Sequence, residues 1–177
     1  MRCKNCKEKF EPIRFNMKYC LKDECVRVWV ESEKAKQWKV KKQKMKKELL
    51  TLSDYTKILQ QLVNKFVRLR DKGLPCISCQ KPIKGKTDAG HLYSVGNYPS
   101  VRFHESNINA QCITCNQYNG GMVNDYRINF VKRYSEYELN TLDLLAHETR
   151  KYSIPELKEM IVEYKKKIKE LELYQKE

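Results

Sequence analysis

No apolar run in this chain is long enough to cross a bilayer, so a transmembrane helix is excluded. The start, Met1-Arg2-Cys3, lacks the build of a secretion signal. Apolar residues are 41% of the 177 and charged residues 33%, which limits the core that burial alone can build. A second source of stability is needed, and metal is the obvious one. Acidic residues are scarce as well: 22 stand against 36 basic ones, a formal net charge of +14. That balance favours a polyanionic partner, and nucleic acid fits best. A membrane surface fits poorly, because the basic segments lack the bulky apolar face that interfacial helices use.

Eight cysteines stand out against this background, and they fall into close pairs. Cys3 and Cys6, then Cys20 and Cys25, form one set of four; Cys76 and Cys79, then Cys112 and Cys115, form the other. An even number also suits a disulfide framework. Tight pairs without a secretion signal favour thiolates on Zn²⁺ in a reducing cytoplasm. Two such ions on four thiolates each would leave a net charge of roughly +10, still strongly basic.

Residues 1–29 read as a four-cysteine zinc knuckle whose apolar mass is Phe10, Ile13, Phe15 and Tyr19. So small a piece needs metal to fold; without it the segment is a loose cysteine-rich tail. Residues 30–73 hold a basic connecting helix and a supporting helix. The basic one spans about 26–50, with eight lysines between Lys34 and Lys47 and no acid among them. Lys39, Lys41, Lys42 and Lys44 are candidate DNA contacts; the alternative is a solvated connector. Ser53 is a candidate cap for the supporting helix, which carries apolar residues at helical spacing from Tyr55 to Leu69 and ends at Gly73 and Pro75.

Residues 74–134 form the candidate catalytic segment. A strand is expected at Ala89–Val95, a break at Gly96-Asn97-Tyr98-Pro99, a return strand at Val101-Arg102-Phe103 and a helix from near Cys112. In residues 135–177, Ser135/Glu138 and Ser153/Glu156 match capping boxes and open helices at about 135–150 and 154–175. Leu157, Ile161, Tyr164, Ile168 and Leu171 make a short seam, either for a homodimer or for packing within the chain.

The second cysteine set encloses residues able to hydrolyse a phosphodiester. His91, after Gly90, is the candidate general base, since imidazole titrates near neutrality. Asn107 is a candidate to orient that base through its amide carbonyl, or else an ordinary turn residue. Asn116, next to Cys115, offers a hard oxygen for Mg²⁺ or Mn²⁺. Asp88 is the best nearby carboxylate; on a strand it would oppose His91, and it is equally readable as a turn residue. Glu105 and His104 are reserve ligands. Arg102, Arg127 and Arg133 are candidate phosphate clamps or plain surface residues.

Cys76-x-x-Cys79, Asp88-Ala-Gly-His91, Val101-Arg-Phe103, Asn107, Gln111-Cys-x-x-Cys-Asn116, Gly120 and Tyr126-Arg127 together resemble the phage NinG (Rap) recombination proteins. The N-terminal knuckle and basic helix fit too, so the resemblance covers most of the chain. It implies an α+β fold with a zinc-stabilised ββα-metal core (HNH-like, treble-clef-type), long flanking helices and the N-terminal zinc knuckle. The implied activity is metal-dependent, structure-selective endonuclease action on branched DNA, such as Holliday junctions and recombination loops, in the cytoplasm of a bacterial host. The paired cysteines followed by asparagine also resemble the phage resolvase endonuclease VII. That likeness puts the general base on His91 and a divalent-metal ligand on Asn116, with zinc structural on Cys76, Cys79, Cys112 and Cys115. One departure stands out: most HNH sites carry an acid or histidine just before the base, where this chain has Gly90. Asp88 is therefore the expected second ligand. The alternatives are a nuclease indifferent to branching and a non-enzymatic, zinc-containing DNA-binding recombination mediator.

Overall fold

The computed structural model describes residues 1–175. Residues 176 and 177, which close the expected 135–177 segment, lie outside the described residues, as does the side chain of Lys47 in the basic run. The chain divides into two compact units, Met1–Leu50 and Thr51–Glu177. The borders expected at 29, 73 and 134 fall inside these units.

The first unit opens with an antiparallel bridge between Arg2 and Lys9. Helix α1, Asp23–Glu48, follows. Asp23 and Glu24 in its first turn suit the positive end of the helix dipole. Cys25 also sits in that turn, so helix and cysteine cluster are one piece. Cys3, Cys20 and Cys25 are buried, with Cys6, Phe10 and Tyr19 packed on them. Ile13 and Phe15, expected in the same small core, are instead 73% and 96% exposed. The four sulfurs occupy the centre and leave those two side chains nothing to cover. From Lys34 to Lys46 every side chain of α1 is exposed. At about 100° per residue, Lys39, Lys41, Lys42 and Lys44 point all around the axis, so they share no single face.

The second unit starts with α2, Leu52–Arg70. Its cap is Thr51 and not Ser53. The Thr51 hydroxyl accepts the Asp54 N–H, and the Asp54 carboxylate accepts the Thr51 N–H at 2.9 Å. Ser53 has Thr56 three residues on, which cannot return that bond. The buried stripe Leu59, Val63, Phe66 and Val67 packs against Leu157, Ile161, Tyr164 and Ile168 of the last helix, Ile154–Tyr174. The terminal seam is therefore used within the chain.

Between these helices in the chain comes a two-stranded antiparallel sheet, β1 (Thr87–His91) and β2 (Ile108–Cys112). His91 faces Ile108 and Asp88 faces Gln111. The first strand thus ends four residues before the expected Val95. The return strand is not Val101-Arg102-Phe103: a 3₁₀ turn at Pro99–Val101 takes Val101 and Phe103 into the core without pairing. The actual return strand carries the buried polar residues Asn109 and Gln111, which mask its apolar character in sequence. A helix does begin just after Cys112, where the strand ends, but it is a single π-helical turn, Thr114–Tyr118; α3 then runs from Val123 to Arg133. Helix α4, Glu136–Ala146, is capped by Ser135 as expected, though it stops short of 150. Ser153 and Glu156 form the full capping box of α5, Ile154–Tyr174. A second core of Ile77, Leu92, Val101, Tyr126, Phe130 and Leu142 joins α3 and α4 to the segments that flank the first strand.

Candidate functional site

Each set of four cysteines converges, with its sulfurs within 4.8 Å of one another. Cys6 and Cys20 sulfurs are 3.7 Å apart, Cys79 and Cys112 sulfurs 4.0 Å, and all eight cysteines are free. A tetrahedral ion with Zn–S bonds of about 2.3 Å needs sulfurs about 3.8 Å apart, so both sets fit zinc. Each cluster also has the same backbone support. The Cys3 sulfur accepts the Cys20 N–H at 3.3 Å, and the Cys76 sulfur accepts the Cys112 N–H at 3.3 Å. Burial pushes the Cys3 thiol up, but backbone donors at Cys20, Cys6 and Asn5 outweigh it and bring it down to about 6. Burial and neighbouring thiols push Cys115 well above the ordinary thiol range. Thiolates this crowded repel one another, and a cation among them removes that repulsion.

His91 closes β1 half-buried, on the sheet face turned toward α2. Its Nε2 lies 3.4 Å from Gln60 Nε2, which also donates to Asn64 Oδ1 at 2.9 Å. Arg102 Nε donates to Gln60 Oε1 at 2.9 Å, so Gln60 links the guanidinium to the imidazole. Burial, with the Arg102 charge beside it, brings the imidazole down to about 4, against hydrogen bonding to the Arg102 and Ala89 backbone. The ring is therefore neutral at pH 7, with the Nε2 lone pair facing the Gln60 amide.

Asn107 is fully buried but makes no hydrogen bond to that ring. Its Oδ1 accepts the Tyr93 N–H at 2.8 Å, and its Nδ2 donates to the carbonyls of Tyr93 at 3.1 Å and Val101 at 3.0 Å. It fixes the chain just after His91, through backbone and not through imidazole. Asp88 and Asn116 do meet: Asn116 Nδ2 donates to Asp88 Oδ2 at 3.1 Å, and Gln117 Nε2 donates to the same oxygen at 2.6 Å. On β1 this pair lies on the face opposite His91. Gly90 has a steric cause. A Cβ there would stand 1.9 Å from Gln111 Oε1, so an acid or histidine before His91 would have to displace that side chain. Gln111 is itself fully buried and held by Ser78 and the Gly121 carbonyl.

Three other candidates are engaged elsewhere. Arg127, expected as a phosphate clamp, pairs with Asp143 at 2.6 Å and also donates to Tyr93, whose hydroxyl bonds the same carboxylate. Glu105, a reserve ligand, is taken by Lys167 at 2.7 Å and by the Tyr164 hydroxyl. Arg133 donates to the Pro75 carbonyl at 3.1 Å and so braces the turn before Cys76.

A family model described as the Bacteriophage Lambda NinG protein matches residues 1–174. The chain belongs to the NinG family. Protein ninG of Escherichia phage lambda is 32% identical over 189 residues, covering 96% of this chain and 92% of that protein. Protein ninG of Salmonella phage P22 is 32% identical over 189 residues, covering 96% and 93%. That of Escherichia phage 933W is 31% identical over 187 residues, covering 96% and 92%. No solved structure matches the chain.

In this NinG-family chain several positioning residues carried no motif in sequence. Gln60 and Asn64 break the polarity of α2 at a spacing of four, and that was their only signal. Tyr126 is buried. Its hydroxyl donates toward the carbonyls of Gly90 at 3.2 Å and Asn107 at 3.3 Å and accepts from Asn109. Asp71, buried, accepts from Arg70 and from the Ala110 N–H at 2.8 Å, tying the end of α2 to β2. Among the described residues no helix is long and apolar enough to cross a membrane.

Proposed function

We propose that the chain is a metal-dependent endonuclease with an HNH-like ββα core that hydrolyses phosphodiester bonds in branched DNA during phage recombination. The observation that carries this reading is His91. It is a neutral, half-buried imidazole beside an arginine, on a strand whose other end, Thr87, pairs with Cys112 of the second cysteine set. In this reading His91 Nε2 takes the proton from the attacking water. Arg102 meets the phosphate, whose negative charge raises the imidazole's proton affinity toward neutrality. Asp88 and Asn116 would hold Mg²⁺ or Mn²⁺, with the Asn116 amide turned to present its oxygen. When bound, that ion offsets charge on the phosphate and the leaving 3′ oxygen. Asn107, Tyr126 and Gln111 keep β1 in place, and the zinc sets supply the frame.

The test is cleavage of a labelled four-way junction and of matching linear duplex, with Mg²⁺, Mn²⁺ or EDTA. Cutting should need the divalent ion, prefer the junction and fall about 10²–10⁴-fold in His91→Ala. Equal cutting of junction and duplex would make the enzyme indifferent to branching.

A second reading is favoured by one observation: Asp88 and Asn116 lie across the strand from His91 and bond each other. In that reading the protein binds recombination intermediates without cutting them. Intact DNA in every arm, with junction binding retained, would select it.

A further inference from the structure

A groove of about 800 Å³ opens beside the first cysteine set, wholly within the Met1–Leu50 unit. Its apolar lining is unusually bare: Phe15 is 96% exposed, Ile13 73% and Trp29 48%. Lys4, Arg14, Lys18 and Lys36 stand around it. Glu33 is the acid among the lining residues, and Lys36 already pairs with it at 2.6 Å. The whole unit is basic, with 16 lysines and arginines against 7 acids, so this short piece carries +9 of the chain's +14.

Aromatic faces left in water beside unopposed cations match one class of polyanion. Duplex DNA hides its bases in the stack and presents phosphate, so it has no use for Phe15. Unpaired nucleotides present both a phosphate and a free base face, and base–aromatic stacking tolerates any sequence. We propose that this groove binds single-stranded DNA, stacking unpaired bases on Phe15 and Trp29 while Lys4, Arg14 and Lys18 meet the phosphates. The proposal rests on the reading that DNA is the partner, and it adds which DNA feature the first unit recognises. Branch points and recombination loops expose such nucleotides.

The experiment uses the full zinc-loaded chain with Trp38→Phe, which leaves Trp29 as the sole tryptophan. The probes are an oligothymidine of roughly 20 nucleotides and a duplex of similar length. Oligothymidine should quench Trp29 emission, and duplex should leave it unchanged. Adding Phe15→Ala should weaken oligothymidine binding about tenfold and duplex binding little. Phe15 is exposed, so unchanged zinc content will separate this effect from misfolding. Three results would overturn the proposal. One is an unaltered Trp29 signal at saturating oligothymidine; another is an equal loss for both probes. The third is concentration-dependent self-association that Phe15→Ala abolishes, which gives the groove to a second copy. Failure of junction cleavage with oligothymidine binding intact would sink the nuclease reading alone. Loss of all DNA binding in the unsubstituted chain would sink both.

Discussion

Lys7 donates its backbone N–H to the Cys3 carbonyl at 3.1 Å, and Gln80 does the same to Cys76 at 2.9 Å. Both residues stand in the left-handed region, with φ of 63° and 57°. In both clusters the third cysteine's N–H then reaches the first cysteine's sulfur. The two knuckles share this backbone and part company in their surroundings. The first is packed only by Phe10 and Tyr19 and carries exposed aromatics and cations. The second sits under a sheet braced by Tyr126, Asp71 and two apolar cores. One turn chemistry therefore serves two ends: a cysteine cluster able to hold a metal and presented to solvent, and a clamp inside a unit with its own core.

The sharpest way to break this comparison is to remove the metal. Structural zinc supplies about 10–16 kcal/mol in small fingers, and the first unit has little else. A strong chelator should unfold the cysteine-bearing part of Met1–Leu50 first, while the α2–α5 pair keeps its helical signal. Circular dichroism with limited proteolysis reads both. Simultaneous loss of the two units would deny the difference. Truncating the second unit's core comes next: Leu59→Ala should cost about 2–5 kcal/mol and lower the main thermal transition, without releasing zinc from the first cluster. Zinc release from both clusters would contradict it.

Asn107→Ala should cost about 1–3 kcal/mol, because it strips the buried Tyr93 N–H of its acceptor. If Asn107 acted only on the imidazole, stability would be untouched and only activity would fall. The effect smallest at neutral pH is that of His91, which shows as a pH dependence. Its folded value, about 4, lies below the ordinary 6.5, so the unfolded chain binds the proton more readily. Its contribution is complete above pH 6.5 and is lost as pH falls toward 4. His91→Asn should flatten that part of the stability profile. An identical profile in the variant would place the imidazole in water.

The two converging cysteine sets were legible in the sequence because CxxC spacing follows directly from thiolate geometry, and the helices because α2 and α5 carry regular apolar stripes. The meeting of Asp88 with Asn116 was legible for the same reason: Cys115 fixes its neighbour. The second strand was not. Asn109 and Gln111 look like surface residues, yet they are buried with Asn109 bonded to Tyr126 and Gln111 to Ser78. Partners supplied by distant elements leave no local pattern. Gln60 beside His91 was hidden likewise, and so was Asp143, which takes Arg127 out of the set of free cations.

The division of labour between the knuckles is tested most directly by one paired measurement: affinity for a four-way junction and its cleavage at saturating protein, for Cys3→Ala and His91→Ala. Cys3→Ala is expected to bind more weakly yet still cut once saturated, whereas His91→Ala is expected to bind normally without cutting. Unchanged affinity in Cys3→Ala, or full cutting by His91→Ala, would contradict that division.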